Sequence, residues 1–315
     1  MTINIFCRKS LFFLTFIFCM VVIPALIVKN QESLLRLTYF DELFARKEKF
    51  EKFINNATTI NLVTGSSHAK DFIDVNVLGK NWFTYANGAQ YLELSLIQLE
   101  SIAASKIRID TLLISMDMFD LAPLPSEVNF NYYLYKVIYG KTMSYDCISL
   151  YIENPVGTFA NDIKLIKKIL RNIFLEFFYE SNSRLSRMQV NGFLPKDDTP
   201  FFDSRKKIFY ENLEYEHRFD SLANFAKANN ITLILVETPK SASYFRVCSS
   251  KNLDAWRKFK IMYKNKYPWI KIFDLEYFNP SESLFVDMDH PNSAMRNVLN
   301  DTLRSSIRNL NAARE

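Results

Sequence analysis

Apolar residues fall into two rhythms along this chain. The segments "TTINLV" (58–63), "NWFTYA" (81–86), "IDTLLIS" (109–115), "ITLILVETP" (231–239) and "WIKIFDL" (269–275) are short, nearly continuous apolar runs, and each reads as a strand. Between them apolar positions recur every three or four residues. "AQYLELSLIQLESIAAS" follows the second run, a charged helix at about 203–228 precedes the fourth, a helix through Trp256 follows it, and an amphipathic helix closes the chain near Asn311. Strands of this kind, alternating with helices, predict an α/β fold with a parallel sheet covered on both faces. Five strands in this order fit a flavodoxin-like three-layer sandwich.

Two segments break the rhythm. Residues 120–200 hold "LAPLPSE", a Tyr-rich run, "ENPVG" and "NGFLPKDDTP" around the helical "IKLIKKILRNIFLEFFYE", and read as an insertion, a candidate cap over the site. Its Tyr and Phe residues read as core, with stacking on a glycan as the functional alternative. The other segment is "SLFFLTFIFCMVVIPALIV" (10–28), nineteen residues without a charge, about the length that crosses a hydrocarbon core as a helix. Arg8 and Lys9 precede it, which sets the N-terminus in the cytoplasm and the rest of the chain outside. A cleaved signal peptide is the rival reading, but the run exceeds a usual signal core and no A-x-A-type site follows it. The expected organisation is a cytoplasmic N-terminus (1–9), a transmembrane signal anchor (10–28), a membrane-proximal amphipathic helix (29–56) and one extracytoplasmic domain (57–315). That makes a single-pass protein of the cytoplasmic membrane.

Composition narrows the classes. At 315 residues the chain suits one sizeable α/β domain, and its 49% apolar content with 28 Phe and 16 Tyr excludes a disordered protein. The net charge of +5 is spread along the length, so nucleic acid is not an expected partner. Cys7 and Cys19 belong to the anchor region. Cys147 and Cys248 remain, either as one disulfide or as two separated buried thiols, and neither has zinc-ligand spacing, so no metal or cofactor is expected.

The chemistry centres on "LVTGSSHAKDF" (62–72) and "FVDMDHPN" (285–292). In the first, the strand ends at Thr64, Gly65 permits a tight turn, and Ser66 and Ser67 stand where a helix begins, which is where α/β sheets place reactive groups. A serine there faces the open crevice, and its own N–H can point at a developing oxyanion. As a bare tripeptide, G-S-S is equally an ordinary turn with a helix cap. In the second segment Asp287 and His290 are three apart, so a turn of helix would set the carboxylate beside the imidazole, fix its tautomer and let it act as general base. The bland alternative has Asp287 capping the last helix, and Asp289 offers a competing carboxylate. His217 lies in a charged helix and reads as a solvated residue.

In order and position the two segments resemble the SGNH (GDSL-type) hydrolases, which carry a serine after the first strand and D-x-x-H after the last. Among these the chain looks most like membrane-anchored envelope acyl-transfer proteins of the DltD and alginate-acetylation type. The resemblance implies Ser67 as nucleophile, His290 as base and Asp287 as its orienting carboxylate. It implies an oxyanion hole from the Ser67 N–H and from Gly88 in "YANGAQ". The family's third block is an asparagine after strand three, and "LISMDMFD" instead offers Asp117; either Asp117 turns away, Asn87 supplies the donor, or the hole has two backbone donors. His68 and Asp117 are candidates for the substrate pocket. The implied partners are an acyl donor, a cell-envelope polysaccharide and a multispanning membrane acyltransferase. Plain ester hydrolysis and a catalytically silent scaffold for glycan binding or envelope assembly are the alternatives.

Overall fold

Three strands form the centre of the sheet because their apolar runs are buried on both sides. The computed structural model describes residues 41–122, 138–139, 155–176 and 216–312, less 56, 89, 277 and 279, and five positions among the first 23. The elements in chain order are α1 (Asp41–Ile54), β1 (Thr59–Thr64), α2 (Ser67–Phe72), α3 (Val75–Leu78), β2 (Trp82–Thr84), α4 (Leu92–Ala104), β3 (Arg108–Ser115), α5 (Pro155–Glu176), α6 (His217–Ala228), β4 (Thr232–Glu237), α7 (Ala242–Val247), α8 (Ser250–Lys266), β5 (Lys271–Asp274) and α9 (Ser293–Ala312). All strand pairs are parallel and the order is β2-β1-β3-β4-β5. The chain is therefore an α/β protein with a five-stranded parallel sheet.

Backbone contacts divide the chain into two units, Met1–Lys47 with Leu124–Ser186, and Glu48–Pro123 with Arg187–Glu315. In the first, Lys47 Nζ donates to the Ile138 carbonyl at 2.9 Å, and α5 buries Leu165 and Ile169. Most of the expected insertion at 120–200, including Cys147, lies outside the described residues, as do 203–215 and most of the run 10–28. Among the described residues no helix is long and apolar enough to cross a membrane.

The second unit holds the sheet and every candidate site residue. On one face Val63, Leu113, Ile234 and Val236 pack with Phe72 of α2, Val75 of α3 and Leu299, Leu303 and Ile307 of α9. These helix positions are four apart, one stripe of a 3.6-residue helix, and each fully buried leucine contributes about 2 kcal/mol. Asn300 pins α9 in register: its amide donates to the Phe72 carbonyl at 2.8 Å and its oxygen accepts the Asp74 N–H at 2.9 Å. Elsewhere Phe219, Trp256, Phe259 and Tyr263 join α6 to α8 through ring contacts of 4.8–6.4 Å.

A buried polar cluster fixes the loop after β2. Gln90 Nε2 donates to Thr64 Oγ1 at 2.7 Å and Ser95 Oγ at 2.9 Å, and Thr64 Oγ1 donates to Gln98 Oε1 at 2.9 Å. Such groups are tolerated in a core only when hydrogen-bonded. The result is that Asn87 and Gln90 are held against the end of β1 and the turn that follows it.

Candidate functional site

The turn after β1 is forced into shape by its neighbour. Gly65 has φ of +120°, and a Cβ there would overlap Ser115 Oγ at the end of β3, so only glycine fits. Ser66 then turns inward: its N–H donates to Ser115 Oγ at 3.1 Å, and its own Oγ accepts the His68 N–H at 3.2 Å, capping α2. Ser67, one residue on, faces out. Its Oγ lies 3.0 Å from His290 Nε2.

His290 arrives on a bend, whereas the three-residue spacing predicts a turn of helix. Residues 286–289 are bends, closed by Val286 N–H donating to the His290 carbonyl at 2.7 Å and by a bridge between Phe285 and Pro291. Asp287 supplies what the helix would have supplied. Its Oδ1 accepts the N–H of Asp289 at 3.0 Å and of His290 at 2.8 Å, and both its oxygens lie 2.9 Å from His290 Nδ1. The bend is tied to the loop after β4, since the Ser241 N–H and hydroxyl both donate to the Met288 carbonyl, at 3.0 and 2.7 Å. Ser67, His290 and Asp287 thus form one hydrogen-bonded line, with 17% of the His290 side chain still exposed.

No protein-family model and no curated protein matches the chain. The site is therefore read from its own geometry.

His68 and Asp117 are buried beside this line. The His68 ring stacks on His290 at 5.1 Å and 16°. Its Nδ1 is 3.2 Å from Asp117 Oδ2 and 3.3 Å from Ser66 Oγ, and its Nε2 is 2.9 Å from Lys240 Nζ. Lys240 also donates to Asp117 Oδ2 at 2.5 Å. Asp117 caps the turn Met118–Leu121, with Oδ1 accepting the Met118 N–H at 2.7 Å. Its carboxylate is turned onto Lys240. The position that concerned the oxyanion hole is thus a neutralised one.

Charge at the site follows from these contacts. Burial disfavours the His290 imidazolium, but its hydrogen bonds to Asp287 and Asp289 and their charges outweigh it and push the pKa up to about 9. Burial and the Lys240 charge lower that of His68. Lys240 is raised despite burial, by Asp117 and Asp289. Asp289 falls well below the usual range because the hydrogen bond from His290 and the Lys240 charge overcome its burial.

The other expected hole residues lie on the loop after β2. Asn87 donates its backbone N–H to the Gly65 carbonyl at 3.0 Å, which leaves only its side chain as a candidate donor. Gly88 is exposed, and a Cβ there would meet nothing within 4 Å. Cys248 is a free, buried thiol and His217 is exposed.

Among the described residues two groups of side chains bring ligand-type atoms within 4.8 Å of one another: His68, Asp289 and His290, and Glu237, Asp274 and Glu276. Each already has an internal cation, Lys240 at 2.9 Å from His68 and Lys260 at 2.5–2.8 Å from the three carboxylates. An ammonium fills the electrostatic role a metal would take.

Sequence reasoning missed Lys240, Ser115 and Ser241. The signal that points to them is positional: all three lie at or just past the C-terminal end of a strand, where open α/β sheets build their sites.

Proposed function

We propose that the chain is a serine-dependent acyl-transfer or ester-hydrolysing protein of SGNH type. Ser67 Oγ attacks an acyl carbonyl, His290 takes its proton through Nε2 and returns one to the leaving group, and Asp287 holds Nδ1–H. The observation that carries this reading is the single line of contacts, 3.0 Å from Ser67 to His290 and 2.9 Å from His290 to Asp287, at the crevice where β1 and β3 meet. The strand order is that of flavodoxin-like doubly wound sheets, whose switch point lies there. The Ser67 N–H and the Asn87–Gly88 loop are the proposed oxyanion donors.

The apolar run 10–28 is read as a signal anchor, which puts the domain outside the cytoplasm and makes an envelope polysaccharide the acceptor, with acyl groups supplied by a multispanning membrane partner. Phe12, Phe16 and Ile23, the described large apolar residues of that run, are exposed, in keeping with a lipid environment. A second reading, a catalytically silent scaffold for glycan binding or envelope assembly, draws support from the His290 pKa near 9, which leaves its imidazole mostly protonated at neutral pH.

A fluorophosphonate probe on the full-length protein separates the two. The enzyme reading expects covalent labelling that rises with pH and disappears in Ser67→Ala. Absence of labelling in the wild type at pH 9 to 10 supports the scaffold.

A further inference from the structure

His290 has two carboxylates on one nitrogen. Asp289 Oδ1 lies 3.0 Å from Nδ1, the atom that Asp287 approaches at 2.9 Å. The two acids are otherwise committed differently. Asp287 accepts two backbone N–H groups and so shapes its own bend. Asp289 turns its other oxygen, Oδ2, to His68 Nε2 at 3.4 Å, and that nitrogen is 2.9 Å from Lys240, which is paired with Asp117.

We propose that Asp289 is a positioning residue for His290, sharing its Nδ1–H with Asp287 while Lys240, behind His68, answers its charge. The base is then held by its own bend and by α2.

Hydrogen-bond counting supports a single arrangement of protons. An ammonium has three donors and accepts nothing, so His68 Nε2 accepts from Lys240, and the His68 proton sits on Nδ1, facing Asp117 and Ser66. His68 is therefore neutral, and its ring stacks on His290 without placing a second cation against the imidazolium that forms during proton transfer. Lys240 answers the charges of Asp117 and Asp289 together. The groups facing His290 are Asp287 and Asp289 from its own bend and Ser67 and His68 from α2, with Phe72 as an apolar neighbour at 5.9 Å and Lys240 and Asp117 behind His68. Removing the Asp289 charge takes away one of two anions that favour the imidazolium and leaves the Asp287 bend intact.

The chain has three histidines, so imidazole signals of isotope-labelled full-length protein can be assigned with His217→Gln and His68→Gln. The wild-type His290 midpoint is expected near 9. Asp289→Asn should move it down by about one pH unit or more, the scale of losing a nearby opposite charge. Asp289→Glu should restore most of it. Asp289→Ser removes the same charge by another route, so that misfolding of one variant does not end the test. An unmoved His290 midpoint in a folded Asp289→Asn or Asp289→Ser protein overturns the proposal and makes Asp289 a loop residue only. The pH dependence of Ser67 labelling should shift in the same direction; this arm alone rests on the acyl-transfer reading. A shifted midpoint in a protein that never labels would defeat that reading and uphold the positioning role.

Discussion

Two buried lysines, Lys240 and Lys260, neutralise carboxylates at the C-terminal ends of the strands, Lys240 after β3 and Lys260 at β4 and β5, and only one of them leads to chemistry. Lys260 donates to Glu237 Oε2 at 2.5 Å and Glu276 Oε2 at 2.6 Å and lies 2.8 Å from Asp274, while Trp256 Nε1 donates to the other Glu237 oxygen at 2.6 Å and Arg257 reaches Glu276 at 2.6 Å. Glu237, Glu276 and Trp256 are buried, so the cluster fastens α8 to β4 and β5. Lys240 has one direct carboxylate and an imidazole, and through His68 and Asp289 its cluster ends at His290 and Ser67. Both groups shift proton affinities: burial opposes the Lys260 charge, but its three carboxylates hold it above the ordinary lysine value. Perturbed titration is common to both; what separates them is a half-buried nucleophile at the crevice.

The largest expected effect belongs to the Lys240 side. Ser67→Ala and His290→Ala should each lower turnover by about four orders of magnitude or more, and the double variant should be hardly worse, because members of one catalytic unit are strongly non-additive. The melting temperature of Ser67→Ala should change little, while His290→Ala also loses the imidazolium's contribution to stability. Near-additive losses would separate the two residues and remove the comparison.

Lys260→Met should do the reverse. It leaves the buried Glu237 and Glu276 without the Lys260 charge, with Arg257 still on Glu276, and should cost about 3–5 kcal/mol of stability in a denaturant titration. Labelling of Ser67 per folded molecule should stay near the wild-type rate. A loss of labelling larger than the loss of folded protein would show that the two clusters communicate.

The legibility of these clusters from sequence differs for a physical reason. Ser67, Asp287 and His290 declare themselves locally, through a strand that ends at a glycine and through a three-residue spacing, and the five strands show themselves as apolar runs. The form of the Asp287–His290 link is less legible, because a bend closed by backbone contacts and a turn of helix both bring residues three apart together. Lys240 is silent, since its partners are 172 and 123 residues away in sequence and only the closed sheet brings them together. Asp117 looks like a hostile charge until Lys240 is placed beside it. α3 is too short to show a period.

A pH titration sharpens the contrast, because His290 links stability to activity with opposite signs. Its folded-state pKa, about 9, lies above the ordinary histidine value of 6.5. The stabilisation from the imidazolium is therefore fully present below about pH 6.5 and is lost as pH rises through 9, a change of up to about 3 kcal/mol. Base catalysis needs the neutral ring, so labelling should rise about a hundredfold between pH 7 and pH 9 to 10, while this contribution to stability falls. In His290→Ala both slopes should flatten. A labelling rate independent of pH over this range would mean that His290 is not the base.

The smallest changes test the comparison most finely. Trp256→Phe keeps a ring against Phe259, which it faces at 5.4 Å and 21°, but removes the N–H that donates to Glu237. A hydrogen bond to a charged group is worth about 1.5–3 kcal/mol, and Lys260 still satisfies the other oxygen, so the loss should fall near the lower end. Ser66→Ala removes the cap of α2, at a cost of about 1 kcal/mol. The two variants should therefore be similar in a thermal melt. They should differ in turnover: Trp256→Phe should leave it unchanged, whereas Ser66→Ala frees the His68 N–H and one neighbour of its Nδ1, at 3.2 and 3.3 Å, and should slow labelling by a few fold. Complete loss of labelling in Ser66→Ala, with Ser67→Ala still reactive, would move the nucleophile by one residue; equal behaviour of Ser66→Ala and Trp256→Phe would reduce His68 to a packing residue.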